Sequence, residues 1–517
     1  MTRGLDVLFV IPSVRTDGAY GPLKKDAIEP PAKARFMAAY LMRRGVSVDV
    51  IDANVTDDTP QDTAEKVRSL NPRLVWMPVY GFNPSSSTQT MPSARAFAQA
   101  VKNIAPETPI VMSGTHPAAL PEKTLHEEPI DFVCGGEGPI TAHELLQAIQ
   151  GGEGVEKVRG LWRFVDGRVV HNAPAPLIDL NEEPALPGWK FMDPRNYRAH
   201  NWHTFYRDFD DRGPYANSYS AEGCPFHCDF CNIQSTYREG EQELVRIGKL
   251  KPNVNSYRFL RPELFVEELT FLREQYGVKY VKVPDEMFAL NQRHVLEICR
   301  LVSERHGDWF DFWAYARVDT CKPAMLDPLR AAGFRWLALG IEAANSTVRS
   351  GQDKKFNDQT VHDVVARLHA AGIEGALNYI FGLPGDTPES LEATYKMAAD
   401  LNGAFANFYC TQALPGSALY REAQKSRYPL PEREGGPGWI GHAQYSYETE
   451  PYYRGHSLTP QEVLSFRDKA HVAYYGRPEY RARLASDPKF GEVAVRTIDE
   501  WVRSVARIER RILEKGV

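Results

Sequence analysis

The feature that most constrains this chain is an alternation of short β-branched runs with helical segments, and it occurs twice. The first series runs from Asp6 to about Ile149. "DVLFVIPS" is an apolar strand, "KARFMAAYLMRRG" follows as a helix stopped by Gly45, and "VSVDVIDAN", "RLVWMPVYG", "TPIVMSGTHP" and "IDFVCGGEG" come after it with helical stretches between. Strands apolar on both faces and separated by helices form a parallel sheet covered on both sides, so a doubly wound α/β domain is expected. Such sheets bind ligands over the carboxyl ends of their strands. Small and flexible residues gather there: Phe82–Asn83–Pro84–Ser85, Ser113–Gly114–Thr115–His116–Pro117 and Gly135–Gly136–Glu137–Gly138. No GxGxxG follows the first strand, so a dinucleotide is not favoured.

The second series spans about 215 to 425, with strands "ANSYSAEG", "VKYVKVPDE", "FDFWAYARVD", "RWLALGIEAA", "GALNYIFGLPG" and "NFYCTQALPG". Helices such as "DQTVHDVVARLHAAG", capped by Asn357 or Asp358 and ended by Gly372, lie between them. Six such units predict a (β/α)6 partial barrel, with its chemistry on the carboxyl-end rim. The stretch 151–205 is a connector: a hairpin turning at Asp166–Gly167, then the proline-rich "APAPLIDLNEEPALPGW". The expected divisions are therefore 1–150, 151–205, 206–425 and a mainly helical region over 426–517. That last region opens Gly/Pro/Tyr-rich and carries a capping box at Thr459-Pro460-Gln461-Glu462.

Composition excludes several function classes. A net charge of −6 offers no general attraction for nucleic acid or acidic lipid, and Arg503, Arg507, Arg510 and Arg511 have the spacing of a solvated helix face. No run of about 18 apolar residues is present to cross a membrane, and the amino terminus lacks the pattern of a signal peptide. Of the seven cysteines, four sit singly in apolar strand or helix contexts, which is not a disulfide framework. A cytoplasmic location is expected.

The other three form "GCPFHCDFC": Cys224, Cys228 and Cys231 on one loop directly after the first strand of the second series. Three thiolates are one short of a closed zinc site and one more than a disulfide uses. A cubane cluster has four irons, so three cysteines leave one iron open to a small molecule. Zinc is the alternative, but it would need His227 or a remote fourth ligand, and His227 adjoins Cys228 too closely for both to reach one ion without strain. An iron–sulfur cluster is the favoured reading.

This motif resembles the signature of radical S-adenosylmethionine (SAM) enzymes, and the later strands resemble that family's rim motifs. The resemblance implies a 4Fe–4S cluster on Cys224, Cys228 and Cys231 whose open iron binds SAM. It also implies reductive cleavage to a 5′-deoxyadenosyl radical, with an external one-electron donor of flavodoxin or ferredoxin type. Carried over by position, Phe230 would lie near the adenine. In "VPDEMF", Asp285 or Glu286 would receive the amino group of SAM. Arg317 in "YARVD" would take its carboxylate or ribose, and Glu342 in "LGIEAAN" its ribose hydroxyls. Gly382 and Gly385 in "IFGLPGDT" would let backbone approach the cofactor, or simply form a turn before a helix begun by Thr387 and Pro388. One departure stands out: family members often carry Ser-Arg-Gly before the first cysteine, where this chain has Ala221-Glu222-Gly223.

The domain order also resembles the cobalamin-binding subgroup of that family, through "SGTHPAALPE", "VCGGEG" and "IDLNEEPALPGW". This implies corrinoid contacts at Tyr80, Phe82, Ser113, Gly114, Thr115, His116, Gly135, Gly136 and Glu137. The loop after the first strand, "SVRTDGAYGPLKKDAIEPP", holds no histidine, so cobalamin is expected without a protein histidine on its lower face, with Tyr80 and Phe82 beside that face. A domain that binds nothing and only packs on the barrel is the alternative. The implied activity is methylation of an unactivated carbon of a small-molecule biosynthetic intermediate, with methylcobalamin as methyl donor. A cyclase or ring-modifying enzyme is the runner-up, and a non-catalytic iron–sulfur scaffold stands further off. A methylthiotransferase should carry three more cluster cysteines in its first domain, where this chain has only Cys134. Tyr445, Tyr447, Tyr452 and Tyr453 are read as anchors packing one domain on another, or as pocket walls.

Overall fold

The computed structural model describes residues 4–13, 27–81, 86–200, 203–204, 207–428, 430, 458–486, 491–500 and 502–503. The four tail tyrosines, Phe82 and most of the loop after the first strand lie outside these residues.

The first sheet holds β1 (Val7–Ile11), β2 (Val48–Asp52), β3 (Leu74–Pro78), β4 (Ile110–Ser113), β5 (Phe132–Cys134), β6 (Leu161–Val165) and β7 (Arg168–His171), in the order β2-β1-β3-β4-β5-β6-β7. The strands β1 to β5 are parallel, as apolar runs joined by helices require, and side chains alternate between the faces: Val7 and Phe9 enter one core, Leu8 and Val10 the other. The hairpin expected in the connector extends this sheet, because β6 pairs antiparallel with β5 and β7 with β6. It turns where Asp166 and Gly167 both take positive φ, the geometry of a tight two-residue loop.

The second sheet has β8 (Tyr215–Asn217), β11 (Tyr280–Val283), β12 (Asp311–Arg317), β13 (Phe334–Glu342), β14 (Glu374–Phe381) and β15 (Phe405–Cys410) in the order β15-β14-β13-β12-β11-β8, all parallel. It is an open, six-stranded partial barrel. Asn357 caps the helix Asp358–Ala370, and Thr387 and Thr459 form capping boxes before Pro388 and Pro460. The helix Pro460–Gly476 covers the free edge at β15. Tyr475 Oη donates to Ala406 O at 2.7 Å and accepts from Ala406 N at 3.0 Å, while Tyr474 and Tyr480 donate to Gly403 O and Ala404 O. An edge strand left bare would offer those groups to another chain.

One hydrophobic core passes from the inner face of the first sheet through the helix Ala32–Met42 into the barrel. Arg35, 2% exposed, stitches that seam. It pairs with Glu268 at 2.6 Å, stacks on Trp189 at 4.3 Å and donates to Asn217 O at 2.9 Å. Two sheets joined by a shared core and a buried ion pair hold their carboxyl ends in a fixed relation. Both ends face one cavity.

Candidate active site

The run "ANSYSAEG" divides into two strands. β8 stays in the barrel, and the chain then peels away as β9 (Ala221–Gly223) to pair antiparallel with β10 (Tyr257–Phe259). The cause is Asp285 at the end of β11, whose carboxylate accepts from Ser220 N at 2.8 Å and Ser220 Oγ at 2.5 Å. Gly223 then turns the chain with φ 89°, lying so close to Ser256 that a Cβ would stand 2.3 Å from its carbonyl oxygen. Only glycine accepts that conformation and that approach. Its N–H donates to Glu286 Oε2 at 3.2 Å, and Cys224 follows.

The cysteine loop is held by polar contacts within it and from the segments that follow it. Gln234 Nε2 donates to Cys224 O at 2.5 Å, Asn255 Nδ2 to Phe226 O at 2.8 Å, and Cys231 N to Cys228 O at 3.0 Å. All three thiols are free. Cys224 and Cys228 are half-buried, and Cys231 is exposed. Burial pushes Cys224 up and Cys228 up to about 12, with the Lys354 cation opposing it at Cys228. Thiols held neutral in this way give up their protons to a metal. Among the described residues, no group of three His, Cys, Asp or Glu is arranged to hold a single metal ion. The cysteine set fits a cluster, where each thiolate takes its own iron, better than one shared zinc.

A second segment, Gln352–Lys354, clasps this loop, and sequence reasoning missed it. Gln352 O lies 3.2 Å from Cys228 Sγ and its Oε1 accepts from Asp229 N at 3.2 Å. Asp353 O accepts from Arg317 Nη2 at 2.7 Å. Lys354 Nζ donates to Gly340 O at 2.6 Å and pairs with Glu342, both side chains buried. Its trace in the sequence is "QDKK", which begins ten residues beyond the end of the fourth barrel strand. Arg317 also pairs with Asp319 at 2.9 Å and stacks 3.7 Å over Phe226, and its Nη1 has no hydrogen-bond partner among the described residues.

The remaining residues proposed for SAM are distributed as follows. Phe230 packs on Ala343, Val348, Ile380 and Leu383 at the ends of β13 and β14. Glu286 lines the cavity, and burial pushes it up to about 8 while Lys33 opposes. Asp285, raised to about 7 by burial, is committed to Ser220. The N–H groups of Gly382 and Leu383 are likewise committed, to Asp386 at 2.9 and 3.1 Å.

A cavity open to solvent lies between the two sheets. Ile11, Pro12, Asn54, Tyr80 and Thr115 line it from the carboxyl ends of the first sheet; Asn217, Tyr219, Tyr237, Pro284 and Glu286 line it from the barrel. This is the position of a cofactor site in such sheets. Of the residues named for cobalamin, Tyr80 and Thr115 reach it. Gly114, with φ 138°, brings its loop so near Val79 that a Cβ would stand 2.1 Å from the carbonyl oxygen. Ser113 is buried and accepts from Trp76 Nε1 at 2.8 Å, and His116 is buried with Nδ1 3.2 Å from Thr88 Oγ1. Gly135, Gly136 and Glu137 turn toward the barrel. Gly135 and Gly136 lie against Glu239, and Glu137 pairs with Arg258 and accepts from Ile178 N at 3.0 Å.

Arg258 stands directly across β9–β10 from Glu222, the residue that departs from Ser-Arg-Gly. Glu222 is buried and shared between Arg258 at 3.3 Å and Lys33 at 2.7 Å. Lys33 begins the first helix and lines the cavity. A part-buried chain of alternating charge, Glu137–Arg258–Glu222–Lys33, thus ties the cysteine loop to the first domain.

Comparison with known proteins finds two family models on the chain. Residues 26–146 match the model of the B12 binding domain, and residues 218–398 match that of the Radical SAM superfamily. An uncharacterized methyltransferase of Pyrococcus horikoshii is 26% identical over 452 residues, covering 87% of this chain and 88% of that protein. The anaerobic magnesium-protoporphyrin IX monomethyl ester cyclase of Rubrivivax gelatinosus is 28% identical over 426 residues, covering 80% and 69%. The fold is similar to that of the radical SAM methyltransferase TsrM of Kitasatospora setae, solved with cobalamin and a 4Fe–4S cluster: TM-score 0.64, 18% identity, 82% of this chain and 78% of that one.

Proposed function

We propose, from the premise that this chain is a radical SAM enzyme with a cobalamin-binding domain, that it methylates an unactivated carbon of a small-molecule biosynthetic intermediate. Its cofactors are a 4Fe–4S cluster, SAM and cobalamin. Bound together, the cluster and SAM supply a 5′-deoxyadenosyl radical and the corrinoid supplies a transferable methyl group. The observation that carries the reading is the shared cavity: the ligand end of the first sheet and the rim carboxylate Glu286 line the same space. A methyl donor and a hydrogen-abstracting group would thus reach one substrate carbon.

In this reading Cys224, Cys228 and Cys231 hold the cluster. Glu286 receives the amino group of SAM, because Asp285 is already committed to Ser220. Arg317 takes the carboxylate through its unpartnered Nη1, and Glu342, fixed by Lys354, faces the ribose. Phe230 forms a wall for the adenine. Gly382 contributes a surface without a side chain, since Asp386 holds its N–H. Walls rich in proline and tyrosine exclude water from the reacting centre. An external one-electron donor of flavodoxin or ferredoxin type and a cytoplasmic setting complete the proposal. No helix among the described residues is long and apolar enough to cross a membrane.

The test uses full-length protein produced anaerobically with cobalamin, assayed for iron, sulfide and corrinoid and then for SAM-derived products with candidate substrates. About four irons and one corrinoid per chain are expected, with S-adenosylhomocysteine and 5′-deoxyadenosine formed in equal amounts as product appears. The similarity to the magnesium-protoporphyrin cyclase favours a second reading, ring closure or modification. Sustained 5′-deoxyadenosine formation without S-adenosylhomocysteine would select it.

A further inference from the structure

We propose that Asn217, on the barrel's first strand, is a corrinoid contact: its Oδ1 accepts a hydrogen bond from a carboxamide N–H on the rim of the cobalamin that occupies the inter-domain cavity. The inference rests on the reading that cobalamin occupies this cavity.

Asn217 ends β8, is 4% exposed and lines the cavity. Its Nδ2 donates to Pro30 O at 2.7 Å. A carbonyl oxygen can only accept, so this bond fixes which end of the amide is nitrogen and leaves Oδ1 as the free end. Oδ1 has no hydrogen-bond partner among the described residues. A buried acceptor without a partner is rare, and it is costly unless a ligand or an ordered water meets it. A polar residue in a strand buried on both faces already departs from the apolar pattern such strands follow.

The neighbouring charges indicate what kind of donor belongs there. Lys33 is paired with Glu222 at 2.7 Å, and Glu29 with Lys282 at 2.8 Å and His200 at 2.6 Å. With Lys33 and Glu29 compensated within the protein, and Glu286, the third charge on the wall, assigned to the amino group of SAM, a neutral N–H fits Oδ1 better than a further cation. Facing Asn217 are Tyr80 and Thr115, at the strand ends where a doubly wound domain holds its ligand. Cobalamin presents neutral primary carboxamides around its ring, and a substrate hydroxyl or amide is the other source of the same donor. Asn217 would thus let the barrel grip the corrinoid held by the other domain.

The experiment titrates two corrinoids into full-length, cluster-reconstituted, corrinoid-free protein and follows binding by absorbance. Dicyanocobinamide carries the carboxamides; the heptamethyl ester of dicyanocobyrinic acid has the same ring with no N–H donor on its rim. In Asn217→Leu, affinity for cobinamide is expected to fall about tenfold, the scale of one hydrogen bond, with affinity for the ester unchanged. Iron content and thermal unfolding check that the variant folds; if it does not, Asn217→Ala replaces it. An equal loss for both corrinoids would overturn the proposal, since shape alone would account for it. Unchanged affinity for both would overturn it in favour of a substrate donor or water. Wild-type protein that binds neither corrinoid would overturn it through its premise.

Discussion

The two sheet ends that meet at the cavity are built from different materials. The barrel rim is made of charge: Arg317, Glu342, Lys354 and Glu286 surround a loop of three thiols, most of them paired within the protein. The end of the first sheet shows the cavity Pro12, Tyr80 and Thr115, keeps its two charges there, Glu29 and Lys33, paired with Lys282 and Glu222, and sends its loop carboxylate Glu137 away to Arg258. The difference follows from what each end holds. A cluster and a zwitterionic ligand need charges fixed in advance, where reorganisation would cost most. A corrinoid offers a broad ring with neutral amides and needs shape. The test of this contrast is whether damage at one end leaves the other intact.

The largest effect belongs to Cys228→Ala. It should abolish the cluster and reduce SAM cleavage to background, as measured by 5′-deoxyadenosine formation under dithionite. Corrinoid content should stay at that of the wild type. Loss of cobalamin along with iron would break the contrast, because the two ends would then be one folding unit.

Next in size is Lys354→Ala, which leaves the Glu342 carboxylate buried beside Gly340 without its partner. Removing one member of a buried pair costs about 3–5 kcal/mol, read as a lower unfolding midpoint in urea. The double variant Lys354→Met/Glu342→Gln should recover much of that stability while SAM cleavage stays impaired, since neutral groups pack there but do not preorganise charge. Recovery of cleavage would show that the pair serves stability alone.

How much of this was legible in sequence depends on the range of each interaction. The cysteine loop, the two β/α series and the caps at Asn357, Thr387 and Thr459 are local patterns, and each forms where the residues imply. The peeling of β9 was not legible, because it depends on Asp285 capturing Ser220 from 65 positions away. The hold of Gln352 on the cysteine loop and the partners of Glu222 likewise span long stretches of sequence. Glu137 sat in a loop that reads as ligand-binding, yet Arg258, arriving from the barrel, decides its direction. Charge pairing across domains leaves no periodic trace in a single chain.

At the neutral end, Gly114→Ala should cost cobalamin rather than SAM cleavage. The substitution forces a side chain into φ 138° and against the Val79 carbonyl. Strain of this kind is worth about 1–3 kcal/mol, and it would displace Thr115 from the cavity wall. Corrinoid affinity, followed by absorbance, should fall about tenfold or more for a loss on that scale. A variant that cleaves SAM normally while binding cobalamin poorly would sharpen the contrast.

The smallest effect concerns a likeness between the ends. Each has a buried aspartate behind its site that holds neighbouring backbone: Asp285 holds Ser220 before the cysteine loop, and Asp52 at the end of β2 holds Asn54, accepting from its N and Nδ2 at 3.0 Å and from Tyr197 Oη at 3.1 Å. Burial pushes Asp285 up to about 7 and Asp52 up to about 6, in each case against those hydrogen bonds. The folded protein therefore keeps a proton that the unfolded chain releases near 3.8. The stabilisation from each protonated acid is complete below that pH and is lost as pH rises through the folded value. Asp285→Asn should remove the part of this loss that extends to about pH 7, and Asp52→Asn the part that ends near pH 6. Urea unfolding from pH 4 to 8 reads both. If the two variants flattened the same window, the acids would be equally buried, and the ends would differ in their visible charges but not in the polarity behind them.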